Sequence, residues 1–222
     1  NTSNVITLSG NNLYSGGTTI VGGTIKLGSA TALGAAAGAV TIDPTSTNGV
    51  LDLNGVTMTN ANAFTIRGTG SSSTGALINS SATAATYIGN ITIGSVSSIG
   101  ANSGNITLSG VISTSSSGYG LYKKGSYDLT LSGLNTFTNA IYVDQGTLKL
   151  GRAGDGTNGP LGTTATGVTV ADGAALDLNG YSLGQAESIG ISGTGISSNG
   201  ALTNSSATDV TFTGSITLNA NA

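Results

Sequence analysis

Apolar and polar residues alternate along most of this chain. In Val5-Ile6-Thr7-Leu8, Ile6 and Leu8 fall on one face and Thr7 on the other; Ile25 and Leu27 flank Lys26, and Leu148 and Leu150 flank Lys149. Leu51 and Leu53 flank Asp52, and Leu176 and Leu178 flank Asp177. The same spacing gives Phe64/Ile66, Ile91/Ile93, Ile106/Leu108, Leu129/Leu131, Val168/Val170, Val210/Phe212 and Ile216/Leu218. A period of two with one apolar face predicts short strands, buried on one side and wetted on the other. The segments end in Ser9-Gly10, Gly22-Gly23, Asn54-Gly55, Ser132-Gly133, Asp172-Gly173 or Asn179-Gly180. Gly and Asn accept the positive φ that a sharp corner requires.

The strand-like segments also repeat in order. Thr7-Leu8-Ser9-Gly10 and Gly23-Thr24-Ile25-Lys26-Leu27-Gly28 return 123 residues later as Thr130-Leu131-Ser132-Gly133 and Gly146-Thr147-Leu148-Lys149-Leu150-Gly151. Leu51-Asp52-Leu53-Asn54-Gly55 returns at an offset of 125, as does Gly75-Ala76-Leu77-Ile78-Asn79-Ser80-Ser81-Ala82-Thr83; Val40-Thr41-Ile42 returns at 128. Insertions therefore sit in loops while the strands keep their order, the mark of a stacked array rather than a closed globule. A sandwich needs no long internal repeat, and a propeller blade carries aromatic markers where this chain has no Trp. The spacings Leu27 to Leu53 (26) and Leu53 to Leu77 (24) fit coils whose like positions stack. The expected fold is all-β: a right-handed parallel β-helix, or β-solenoid, of roughly nine to eleven coils, a rod on the order of 45–50 Å long. Residues 1–222 read as one solenoid segment, with a first unit over about 1–123 and an incomplete second over about 124–222. Asn54, Asn79, Asn179 and Asn204 are expected to form turn ladders along the axis, as stacked amides do in cross-β arrays. Open coil ends are exposed sheet edges, so end-to-end self-association is also expected.

Composition narrows the function. Gly takes 37 positions and only 7% of residues are charged, while 37% are hydrophobic. That combination is not the disorder signature, and a surface of Ser, Thr and Asn is solubilised by hydrogen bonds. Six Lys and Arg and a net charge of −3 give no basic patch for phosphate, which excludes nucleic acid as a partner. There is no Cys, so no disulfide framework, and no apolar run approaches the length of a transmembrane helix. The chain opens on Asn1 without a basic-then-apolar leader, as expected of a piece or mature fragment of a longer protein.

The segment from Leu8-Ser9-Gly10 through Asn12-Leu13-Tyr14, Ser15-Gly16-Gly17-Thr18-Thr19 and Gly23-Thr24-Ile25-Lys26-Leu27-Gly28 resembles the autotransporter-associated β-strand repeat. A second copy runs from Leu131-Ser132-Gly133 to Gly146-Thr147-Leu148-Lys149-Leu150-Gly151 and departs at Asn139-Ala140, where the Gly pair is lost, and at Tyr142-Val143-Asp144. The resemblance implies a bacterial passenger with a right-handed parallel β-helix, exported by a type V route to the cell surface or the medium. Such proteins work as adhesins, matrix components or stalks, with surface glycans or proteins as partners.

Candidate chemistry is sparse. No His or Cys exists for zinc, a thiolate or a Ser/His triad. The acids are Asp43, Asp52, Asp128, Asp144, Asp155, Asp172, Asp177, Asp209 and Glu187. Asp52 and Asp177 occupy equivalent repeat positions, and their recurrence reads as a solvated structural face rather than a catalytic one. Gly151 to Gly159, with Asp155, looks superficially like a calcium turn, but a nonapeptide calcium repeat needs successive copies, so a Gly-rich corner is expected. The most unusual patch is Tyr119-Gly120-Leu121-Tyr122-Lys123-Lys124-Gly125-Ser126-Tyr127. Tyr119, Tyr122, Lys123, Lys124 and Tyr127 are its candidate contacts for a glycan or protein partner, although the segment also reads as the lead-in coil of the repeat. The expectation is a non-enzymatic structural or adhesive rod without catalytic residues, metal or cofactor. A carbohydrate-binding or carbohydrate-active β-helix and a self-associating filament subunit are the alternatives.

Overall fold

The computed structural model describes residues 4–46, 48–163 and 167–219. Among them, short strands run in three rows that wind into a β-solenoid of about nine turns. The first row holds β1 (Val5–Leu8), β3 (Thr24–Leu27), β5 (Val50–Asp52), β7 (Leu77–Asn79), the second half of β9 (Ile91–Ala101), β12 (Leu121–Lys124), β14 (Ile141–Val143), β16 (Val168–Val170), β18 (Ile189–Ile191) and β20 (Ile216–Leu218). The second holds β2 (Thr18–Ile20), β4 (Val40–Ile42), β6 (Phe64–Gly68), the first half of β9 and β11 (Ile112–Thr114). The third holds β8 (Ala85–Tyr87), β10 (Ile106–Leu108), β13 (Leu129–Leu131), β15 (Gly146–Leu150), β17 (Ala174–Asp177) and β19 (Leu202–Thr203). The pairings between these strands are parallel.

Parallel stacking in register places each inward residue over the inward residue of the coil before it. In the first row the ladder reads Ile25, Leu51, Leu77, Ile99, Lys123, Val143, Val170, Ile191. In the third it reads Ala85, Ile106, Leu129, Leu148, Leu176, Leu202. The ladders meet in one continuous apolar core, which no single coil could build. Leu51 rather than Leu53 stands against Leu77, so the expected spacing of 24 is corrected: variation in coil length is absorbed at the corners.

The two copies of the sequence repeat are not stacked in phase. β3 and β5 lie in the first row, whereas their counterparts β15 and β17 lie in the third. Likewise β4 and β6 lie in the second row and their counterparts β16 and β18 in the first. Between the copies, the second half of β9, β10, β11 and β12 lay down first-row, third-row, second-row and again first-row strands. That is one face more than a whole turn, so the second copy is rotated by one face about the axis. β9 makes the sharpest departure from the corner pattern, running unbroken from the second row into the first.

Local geometry survives this rotation. The Asp52 carboxylate accepts hydrogen bonds from Asn54 N (2.9 Å), Ser80 N (3.1 Å) and Ser80 Oγ (2.6 Å). Asp177 accepts the same three from Asn179 N (2.9 Å), Ser205 N (2.9 Å) and Ser205 Oγ (2.6 Å). Asn54 and Asn179 share φ 49°, and their amides donate to Leu27 O and Leu150 O, each at 2.9 Å. Asn79 and Asn204 accept from Gly55 N and Gly180 N and donate to Thr83 O and Thr208 O. The four amides thus bond corner backbone, of their own or a neighbouring coil, and not one another.

The reading of Asp52 and Asp177 as a solvated face is corrected: they are 3% and 2% exposed. The overlying Ser-Ser corner closes over each carboxylate, and Lys26 (3.8 Å) or Lys149 (3.2 Å) supplies the charge partner. Burial alone raises the Asp177 pKa, but Ser205, the Asn179 amide and Lys149 outweigh it and hold the group below 3.8. A depressed carboxyl pKa contributes stability above its unfolded value, and that contribution is lost as pH falls through the folded value. Asp177→Asn is therefore expected to cost about 1–2 kcal/mol in urea unfolding at pH 7. The difference from the parent chain should shrink as the pH falls below 3.8. A cost unchanged with pH would show that the charge is immaterial.

Candidate functional site

Alternation along β12 and β14 turns Leu121, Lys123, Ile141 and Val143 inward and Tyr122, Lys124, Tyr142 and Asp144 outward. Because Tyr122 is the register partner of Tyr142, the two rings stack on the outer face, with centroids 4.6 Å apart and planes 16° apart. Gly120 leaves room for them, since a Cβ there would come within 3.0 Å of the Tyr142 ring. The Lys124 ammonium lies 5.7 Å from the Tyr122 ring centroid and forms an ion pair with Asp144. Offset stacking and the cation each add modestly to holding the rings flat.

Open grooves flank this shelf. One, beside Tyr142, is lined by Ser117, Gly118, Gly120, Thr138, Asn139 and Ala140. The other is lined by Asn102, Ser126, Asp144, Gln145 and Asp172 with three glycines. The site is therefore an aromatic platform between a largely apolar groove and a polar one that carries two carboxylates.

Of the residues singled out from sequence, Tyr122 and Lys124 belong to this face. Lys123 does not, and its expected role as a surface contact is corrected: it is 0% exposed. It occupies an inward position of the ladder, between Ile99 and Val143. Its ammonium donates to Lys124 O (3.0 Å), Gly125 O (2.6 Å) and Gln145 O (2.8 Å). All three protons are thereby used, and the two corners that wall the second groove are tied together. Burial pulls the Lys123 pKa down to about 8, with Asp128 only partly opposing it. Tyr119 packs partly buried against the core, and Tyr127 stands exposed on the corner beyond Ser126. Asn102 and Gln145 were not singled out from sequence, and Asp144, Asp172 and Tyr142 were named there without being assigned to this site. The signal for Tyr142 was its place one coil beyond Tyr122, invisible until the coil length there is known.

The Asp155 carboxylate is bonded within its own corner. The carboxylate accepts Thr157 N (2.9 Å) and Asn158 N (2.7 Å) from its own loop, and these bonds lower its pKa.

The strands and the shelf define a repetitive β-solenoid with an outward aromatic face. Residues 4–27 and 121–150 match the family model of the passenger-associated-transport-repeat. Both matches end on equivalent leucines, Leu27 and Leu150, which the one-face rotation places in different sheets. The chain thus carries two such repeats on a β-solenoid, consistent with an autotransporter passenger domain. No curated protein and no solved structure matches the chain.

Two measurements check Lys123. Amine acylation read by mass spectrometry should modify Lys124 readily and Lys123 slowly. A lysine pKa depressed from 10.5 to about 8 means that the unfolded chain holds more protons between those values. Stability relative to Lys123→Met should therefore rise with pH across that window. At pH 7 the substitution orphans three carbonyls and should cost about 2–4 kcal/mol. Equal labelling of both lysines would contradict this burial.

Proposed function

We propose that the chain is a non-enzymatic structural and adhesive rod of a bacterial surface or secreted protein, and that its first-row face binds glycan. The observation that carries this reading is the Tyr122–Tyr142 stack between two open grooves, one of them polar. Flat aromatic surface covers the apolar face of a sugar ring, while Asn102, Gln145 and Ser126 offer hydrogen bonds to its hydroxyls. The shelf lies on stacked strands rather than on a mobile loop, which suits contact under load. The passenger repeats support display outside the cell. Biofilm or host attachment is the corresponding role.

A second reading is favoured by one observation. Asp144 and Asp172 line the same groove, and carbohydrate-active β-helices act through convergent carboxylates. Against it, Asp144 is committed to an ion pair with Lys124.

A glycan array probed with this chain, followed by calorimetry on the best ligand, tests the proposal. Tyr142→Ala should weaken binding about tenfold or more, while Tyr181→Ala, on another corner, should leave it unchanged. Incubation with the same glycan should release no new reducing ends. Release that disappears in Asp172→Asn would establish the catalytic reading instead, and absence of any bound glycan would reject the glycan contact.

A further inference from the structure

Aligning the two copies of the repeat exposes an exchange of a hydrogen-bond donor for an acceptor in a buried corner. In the first copy Asn60 and Asn62 precede β6. Asn60 Nδ2 donates to Gly34 O at 2.7 Å. Asn62, fully buried, donates through Nδ2 to Leu33 O (3.3 Å), Ala35 O (2.7 Å) and Gly38 O (2.8 Å). One amide nitrogen thus fills the hollow of the loop below it and neutralises three carbonyl dipoles.

The second copy builds the same corner. Gln185 stands at the place of Asn60, and its Nε2 donates to Gly162 O at 2.8 Å, the counterpart of Gly34. Gly162 and Gly34 share a left-handed φ, 88° and 77°, and Leu161 and Leu33 are both buried. At the place of Asn62, however, stands Glu187. It is 1% exposed, and neither of its carboxylate oxygens has a hydrogen-bond partner; the Gln185 Oε1 is also buried and unpartnered. Among the described residues no Lys or Arg forms an ion pair with Glu187. The backbone positions of Leu33 and Ala35 are taken here by Leu161 and Thr163.

An ionised carboxylate has only acceptors, so Glu187 cannot supply the N–H groups with which Asn62 satisfies the carbonyls of the loop below it. Isolated charge of this kind is expensive to bury and is retained where it pairs with a cation. We infer that Glu187, Gln185 Oε1 and the carbonyls of the Leu161–Thr163 turn bind a metal cation, with calcium the best match. Calcium takes carboxylate and carbonyl oxygens in irregular geometry, whereas magnesium demands octahedral ligands and keeps its water. This inference is independent of the glycan contact, which lies on β12 and β14.

The test uses the chain stripped with chelator at pH 8, with thermal unfolding and equilibrium dialysis as readouts. Added Ca²⁺ should bind at one ion per chain and raise the Tm by roughly 5 °C. Glu187→Gln and Glu187→Asn, the latter reproducing the first copy, should bind none and melt at a Tm insensitive to Ca²⁺. A parent chain indifferent to Ca²⁺, Mg²⁺ and Na⁺ overturns the site, as does Ca²⁺ binding retained by Glu187→Gln. A response to Mg²⁺ or Na⁺ alone overturns the assignment to calcium.

Discussion

Backbone pairing of each coil with the next, parallel and in register, is the constraint on which everything else depends. Once β12 lies against β9 and β14, the neighbours of every inward side chain are decided before its chemistry is considered. The apolar ladders follow at once, because like positions of successive coils share one face. So does the stack of Tyr122 on Tyr142, which is the same register read on the outer side. A cost accompanies this order: a polar residue at an inward position must find its partners inside the wall.

The solenoid meets that cost at its corners, where backbone groups freed from the sheets are within reach. Asp52 and Asp177 are satisfied by the amides and hydroxyl of the Ser-Ser corner above them. Lys123 spends all three protons on carbonyls of two adjacent corners. Asn62 does the same with one amide. These groups act as clamps between coils, and each carries geometric information that an apolar residue could not. Glu187 is the exception, a clamp position whose residue has reversed polarity.

Duplication and rotation together shape what the rod presents. The corner chemistry of the two copies agrees in hydrogen bonds and in φ, although the copies sit one face apart. Corners are therefore local devices, indifferent to which of the three rows they join. The segment between the copies is where the phase changes, and the aromatic shelf spans from its last strand, β12, to β14 of the second copy. The surface with the most distinctive chemistry thus lies within the second repeat, over 121–150, at the point where it follows the change of phase.

Much of this was legible in the residues alone. Alternation placed the strands, since Phe64/Ile66, Ile106/Leu108, Leu129/Leu131 and Val168/Val170 are buried pairs, and recurrence of the same segments implied a stacked rod. Both signals are local or periodic, and a single sequence displays them directly. The phase between copies was not legible, because an offset of 123 to 128 residues says nothing about the number of faces it spans. The burial of Asp52, Asp177 and Lys123 was equally hidden: alternation names an outward or inward side, but not the corner that closes over it. Tyr142, Asp144 and Asp172 join one site only because coils of unequal length bring them into register. The strands and their repetition were set by sequence; the neighbours across coils, which decide charge, burial and contact surface, were set by the tertiary stack.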